Sequence, residues 1–216
     1  MTEKKKVFFG LDLDETLIYS HETFKSKTDA DPSADFYIYD KDHPNCIEYE
    51  VFERPNLHLL LNKINSEFNM FFFTRAERTY AQNIVSELGF SDLPLFSREH
   101  TDIVKDIGPY SSGSTYELKR LDKIAKVLGT DLEHLIFIDD VVNMQAIHPI
   151  ENVIKISKFH KETIKDNEFS KLLNFLNTLD GSSVEIVSKL KNFNFDNYEQ
   201  DLKEDTKRNT NRKMRP

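Results

Sequence analysis

Apolar positions along the chain fall into short solid blocks separated by amphipathic stretches. Residues 7–13 are rich in Val, Phe and Leu and are bounded by charge, which predicts a strand buried on both faces. Residues 70–74 and 135–138 predict a second and a third such strand, and 153–156 a fourth. Pro55 suits the first turn of a helix, and Leu57, Leu60, Leu61 and Ile64 follow at helical spacing. Residues 76–88 predict another helix, with Gly89 as its stop. Residues 114–128 predict an amphipathic helix with Leu118, Leu121, Ile124, Ala125 and Leu128 on one face, and 164–179 a last one. Phe36–Tyr39 and residues 47–52 flank His43-Pro44 and predict a hairpin inside the otherwise polar, turn-prone stretch 19–46. Residues 91–113, with Pro94, Gly108-Pro109 and Ser111-Ser112-Gly113, read as irregular.

Strands alternating with helices imply an α/β fold, a Rossmann-like parallel sheet with helices on both faces and ligands beyond the carboxyl ends of its strands. Residues 1–180 are expected to form this domain. Apolar residues thin out afterwards, so 181–216 are expected to be a polar C-terminal tail or linker, with the look of a cut from a longer chain.

Composition narrows the class. The chain has 216 residues, enough to bury a core without staples, and its one cysteine, Cys46, excludes a disulfide framework or a thiolate-rich metal site. Its 29 Lys and Arg stand against 37 Asp and Glu, a net charge of −8 that disfavours nucleic-acid and anionic-membrane partners. The apolar blocks are too short to span a bilayer, and Asp12 and Asp14 interrupt any signal-peptide core, so a cytoplasmic and monomeric protein is expected.

The residues just after each apolar block carry the candidate chemistry. The first ends in Asp12-Leu13-Asp14-Glu15-Thr16, the second at Thr74-Arg75 and the third at Asp139-Asp140. Asp12 and Asp14 share a side if extended structure persists through them. Carboxylates so close repel unless a cation neutralises them, and Mg²⁺, a hard ion with oxygen ligands, suits the set. Asp139 and Asp140 also suit the N-cap of a helix over 141–147. Lys119, in the early turn of the 114–128 helix, adds an ammonium. Metal, nucleophile and donors for equatorial oxygens are the requirements of phosphoryl transfer.

The order DLDETL, FFFTRAERTYA, YELKRL and FIDD resembles the haloacid dehalogenase superfamily of aspartate-based phosphatases, most closely its small-CTD-phosphatase (FCP/SCP-like) branch. Asp12, Asp14 and Thr16 fill the DxDxT motif of that branch. Arg54-Pro55, Lys119-Arg120-Leu121 and residues 137–140 resemble its later motifs, so the likeness runs over about residues 7–156. It implies Asp12 as nucleophile and Asp14 as general acid and then base, with its carbonyl on the metal. Thr74 would hold a phosphoryl oxygen and Lys119 would orient Asp12. Asp140 would ligate Mg²⁺, with Asp139 beside it as ligand or support. The gap from Lys119 to Asp139 is about one helical turn longer than the branch suggests, which makes Lys123 a rival for the lysine role. Arg75 stands where the branch has a small residue and is a candidate for phosphate contact.

The expected function is therefore a Mg²⁺-dependent phosphatase acting through an aspartyl-phosphate. With a flap but no large cap domain in the sequence, the expected substrate is a phosphoprotein or phosphopeptide, phosphoserine/threonine or phosphotyrosine. Tyr37, Phe96, Tyr110 and Tyr116 are candidates to line a pocket for a ring. A small-metabolite phosphatase and a catalytically inactive phosphoprotein-binding module are the alternatives. The Lys/Asn/Phe/Ile-rich composition also allows a bacterial effector acting on host phosphoproteins.

Overall fold

The first apolar block becomes the middle of the sheet. The computed structural model describes residues 6–105, 114–163 and 166–193. Strand β1 (Phe8–Leu11) is followed by β2 (Ile18–Ser26), β3 (Phe36–Tyr39), β4 (Cys46–Glu53) and helix α1 (Leu57–Glu67). Next come β5 (Asn69–Phe73), α2 (Arg78–Glu87), β6 (Leu95–Phe96), β7 (Asp102–Lys105), β8 (Thr115–Arg120) and α3 (Leu121–Val127). The chain then forms β9 (Leu135–Asp139), β10 (Ile147–His148), β11 (Val153–Lys155), α4 (Glu168–Leu176) and α5 (Ser183–Lys191).

Five of these strands make a parallel sheet in the order β11-β9-β1-β5-β6. Side chains alternate across it. Phe9, Leu11, Phe72, Ile136 and Ile138 face the larger core, which α1, α2, α4 and α5 cover. Phe71, Phe73, Leu135 and Phe137 face the other way, against Leu121, Ile124 and Ala125 of α3. Helices thus lie on both faces, as the alternating pattern predicts.

Gly10 holds the centre of this second layer. It is in register with Phe71 on one side and Phe137 on the other, and those rings stack with centroids 6.2 Å apart. A Cβ at Gly10 would lie 2.2 Å from the Phe71 ring and 2.5 Å from that of Phe137. Gly10→Ala is therefore expected to destabilise the fold by about 1–3 kcal/mol through overpacking. A lowered urea midpoint at unchanged slope checks this.

Between β1 and α1 the chain builds an antiparallel flap in the order β2-β4-β3. The Phe36–Tyr39 hairpin strand and its partner are as expected, but β2 falls in the stretch read as turn-prone. Its solvent-facing residues give it a polar pattern, and pairing with β4 supplies its stability. The neck of the flap is closed by Arg54 N–H donating to the Leu17 carbonyl at 3.0 Å.

The region around β8 corrects the expected 114–128 helix. Only Leu121–Val127 is helical. Residues 115–120 are a strand that pairs antiparallel with β7 and parallel with β10. Backbone partners distant in sequence outweigh the local helical period there. β6 and β7 lie in the stretch expected to be irregular; 106–113, with Gly108, Pro109 and Tyr110, lie outside the described residues. Residues 141–147 form turns leading into β10 rather than the expected helix.

Packed structure also runs past the expected boundary at 180/181. Ser182 and Glu185 form a capping box at the start of α5, and Ile186, Val187 and Leu190 bury their side chains in the larger core. A short apolar stripe suffices for docking. Residues 194–216 lie outside the described residues. Among the described residues no helix is long and apolar enough to cross a membrane.

Candidate active site

The site forms where β1 ends. Asp12 N–H donates to the Ile138 carbonyl at 3.0 Å, which keeps Asp12 in line with β9. The chain then turns sharply: the Leu13 carbonyl accepts from the backbone N–H of Leu17 at 2.8 Å and of Ile18 at 3.1 Å, and Glu15 adopts φ 57°. The tight turn returns Thr16 to the carboxyl edge of the sheet. Arg54, fully buried, fixes the turn from behind. Its Nη1 donates to the Thr16 carbonyl at 3.0 Å, while Nη2 holds Asp166 at 2.7 Å and Glu168 at 2.9 Å. The Arg54-Pro55 step thus ties this loop to the start of α4.

Lys119 reaches the centre from β8. Its Nζ donates to Asp12 Oδ1 and to Asp139 Oδ2, each at 2.7 Å, and it is only 2% exposed. The Phe137 ring lies 5.1 Å and the Phe73 ring 5.8 Å from the ammonium. Burial alone would lower the Lys119 pKa, but Asp12 and Asp139 together raise it, so the group stays charged. Lys123 is exposed and donates to Asp102 at 2.7 and 2.8 Å, away from these carboxylates. Of the two candidate lysines, Lys119 is the one the structure brings to Asp12.

Thr16 links two of the acids. Its hydroxyl lies 3.4 Å from Asp12 Oδ2 and 3.3 Å from Asp140 Oδ1, so its single proton serves one at a time, and it accepts from Asp140 N–H at 3.1 Å. Burial pushes the Asp12 carboxyl up to about 8, against the pull of Lys119 and with the push of Asp139. Burial and Asp139 also raise Asp140.

The donor set fits a hard cation. Oxygens of Asp12, Asp139 and Asp140 lie within 4.8 Å of one another, near the roughly 4 Å between opposite ligands of Mg²⁺. Both Asp139 oxygens are engaged, one by Lys119 and one by Val141 N–H at 2.7 Å. Asp140 Oδ2, by contrast, is buried without a hydrogen-bond partner among the described residues, and Lys158 Nζ stands 4.0 Å away. A buried carboxylate oxygen without a partner, on a residue grouped with two other acids, suits a metal ligand.

Thr74 directly follows β5, the strand that pairs with β1. It is 2% exposed and its Oγ1 accepts from Ala76 N–H at 3.0 Å, which leaves its own proton without an acceptor among the described residues. Arg75 is half-buried, and its guanidinium is close enough to Lys158 to repel it. Lys158, paired with Glu15, is a cation at the mouth that sequence reasoning missed. It arrives with the loop after β11, where Phe159 N–H donates to the Glu15 carbonyl at 2.7 Å.

Asp14 faces a different surrounding. It lines a cleft of about 560 Å³ between the flap and α2, with Ser20, Ile38, Tyr49, Tyr80 and Arg98 on its walls. Burial raises its pKa, and hydrogen bonds from Tyr80 and Ser20 oppose the rise. The aromatic lining differs from the expected one. Phe96 packs in the core against Phe71 and Phe73, Tyr37 donates to the Asp31 carbonyl at 2.9 Å, and Tyr116 is half-buried on β8. Tyr49 and Tyr80 line the cleft instead, placed there by the packing of flap on helix.

A parallel α/β sheet with this acidic cluster at the carboxyl edge of its central strand defines the class: a haloacid dehalogenase-like phosphatase. The chain belongs to the NLI interacting factor-like phosphatase family, whose model matches residues 10–187. Such enzymes are phosphoric monoester hydrolases. The chain is 27% identical over 188 residues to CTD nuclear envelope phosphatase 1 of Xenopus laevis, covering 83% of this chain and 68% of that protein. Its Xenopus tropicalis counterpart gives the same values. Among solved structures it is similar to the fission yeast RNA polymerase II CTD phosphatase Fcp1-R271A bound to beryllium fluoride. That match has 20% identity and a TM-score of 0.49, and covers 86% of this chain and 50% of that one. The chain thus spans about half the length of that Fcp1 structure.

Proposed function

We propose that this domain is a Mg²⁺-dependent protein phosphatase that hydrolyses phosphomonoesters through an aspartyl-phosphate on Asp12. The observation that carries the reading is Lys119 bridging Asp12 and Asp139 in one acidic group with Asp140, whose Oδ2 has no hydrogen-bond partner among the described residues. Asp12, Asp140 and the Asp14 carbonyl would hold the ion, with Asp139 beside it; bound there, Mg²⁺ supplies positive charge against the phosphoryl oxygens.

The residues of the chain divide the remaining work. Asp12 attacks phosphorus as the bond to the leaving oxygen breaks, and Asp14 gives that oxygen a proton. Asp14 then takes a proton from water as the water oxygen bonds phosphorus and the bond to Asp12 breaks, which releases phosphate. Lys119 keeps Asp12 aimed and its charge balanced. Thr74, and Arg75 behind it, donate to the phosphoryl oxygens. Burial raises the Asp14 pKa, the direction that favours a proton-donating carboxyl.

A polypeptide substrate is supported by the wide cleft beside Asp14 and by relatives named as CTD phosphatases. The test is a panel of phosphoserine, phosphothreonine and phosphotyrosine peptides with small phosphorylated metabolites, with Mg²⁺ and with EDTA. Turnover of peptides that EDTA abolishes is the expected result. Turnover of metabolites alone replaces the protein-substrate reading, and full activity in EDTA overturns the metal assignment.

A further inference from the structure

Asp12 and Asp139 are held by an ammonium, whereas Asp14 is held by uncharged groups from two other elements. Tyr80 of α2 donates to Asp14 Oδ1 at 2.5 Å. Ser20 of β2 donates to the same oxygen at 3.2 Å, and the two hydroxyl oxygens lie 2.7 Å apart. Among the described residues Oδ2 of Asp14 has no hydrogen-bond partner, and Asp14 lines the cleft. The Tyr80 ring is itself fixed, edge-on against Tyr49 of β4 with centroids 4.9 Å apart. Flap strand, helix and motif loop therefore converge on one oxygen of one carboxylate.

We infer that Tyr80 and Ser20 are positioning residues that clamp Oδ1 of Asp14 and so aim Oδ2 at the leaving oxygen. The inference rests on the proposed role of Asp14 in proton transfer. A carboxyl that turns about its side-chain bonds presents its proton to the leaving group only part of the time; two donors on one oxygen fix the plane and leave the other oxygen to carry the proton. In the first step that proton passes from Oδ2 to the leaving oxygen as the phosphorus–oxygen bond breaks. In the second, the same Oδ2 receives a proton from water. Neither hydroxyl changes its own protonation, so both are supports and not proton donors to substrate.

Leaving-group dependence tests the clamp. The leaving group of para-nitrophenyl phosphate is stable as an anion and needs little protonation, whereas that of phenyl phosphate needs it far more, and the two differ little in size. kcat/KM reports the step that forms the phosphoenzyme. Since general acids contribute about 10²–10⁴-fold, Tyr80→Phe is expected to lower kcat/KM on phenyl phosphate about tenfold or more, and on para-nitrophenyl phosphate no more than about threefold. Ser20→Ala, at a partly exposed flap position, carries the same expectation with a smaller loss and serves if Tyr80→Phe folds poorly. Equal losses on both substrates, or none on either, overturn the clamp. Asp14→Asn run alongside separates the two layers of argument. If Asp14→Asn keeps full activity on phenyl phosphate, the reading of Asp14 fails and the clamp with it. If Asp14→Asn is impaired but the hydroxyl variants show no leaving-group dependence, the clamp alone fails.

Discussion

Asp12→Asn is expected to lower kcat by at least about four orders of magnitude, the scale of loss seen when a covalent nucleophile is removed. The amide keeps the shape of the side chain but offers no charged oxygen to phosphorus. The fold should survive the change. Asp12 is 7% exposed and burial pushes its carboxyl up to about 8. A carboxyl whose folded pKa is raised costs stability once the pH exceeds its unfolded value, and the cost grows until the pH reaches about 8. An amide does not titrate, so the substitution relieves that cost at neutral pH, while Lys119 keeps Asp139 at 2.7 Å. The melting temperature of Asp12→Asn without added divalent ions is therefore expected to equal or exceed that of the parent. Rapid-quench trapping should give a phosphoenzyme in the parent and none in the variant. A variant with parental turnover would sink the aspartyl-phosphate mechanism.

Lys119→Ala should be the next most damaging change, and it should act on both activity and stability. Its ammonium is enclosed by two aromatic rings and two carboxylates. Breaking a buried ion pair by removing one partner costs about 3–5 kcal/mol, because the remaining charges are left without compensation. That is a large part of the roughly 5–15 kcal/mol that holds a domain together. Loss of a charge aimed at the transferring group adds about 10²–10³-fold in kcat. Lys123→Ala serves as the comparison. Its ion pair with Asp102 is exposed, and such pairs contribute about 0–1 kcal/mol, so both melting temperature and kcat should stay near the parent's. Side-by-side melts and steady-state rates decide the matter. Equal effects of the two substitutions would remove Lys119 from the site.

The positions of the three buried strands could be read from the chain because a strand covered on both faces has no polar face to show. The apolar blocks at β1, β5 and β9 are therefore unbroken, whereas the edge strand β11 carries the exposed Lys155; the residues that follow the three blocks fall on one edge. That is how Asp12, Thr74, Asp139 and Asp140 can be found without coordinates. β2 escapes the same reasoning: one side of the flap is wet, and its sequence alternates polar residues that resemble a loop. β8 escapes it for another reason. Leu118, Leu121, Ile124 and Ala125 keep helical spacing across a point where strand gives way to helix, and periodicity cannot register a change that long-range pairing imposes. That change also sets the two lysines apart, since Lys119 lies on the strand and Lys123 on the helix. Ser20, Tyr80 and Lys158 leave no local signal, because their roles come from contacts between the flap, α2 and the loop after β11.

The hydrogen bonds that assemble the site join residues far apart along the chain: Lys119 to Asp12 spans 107 positions and Thr16 to Asp140 spans 124. No single hairpin or helix pair contains it. Loop closure on that scale is among the slow events of folding. Catalytic competence is therefore expected only once β8, β9 and the first-motif turn have docked. During refolding, recovered activity should report the completed domain, returning no earlier than the circular dichroism of its helices.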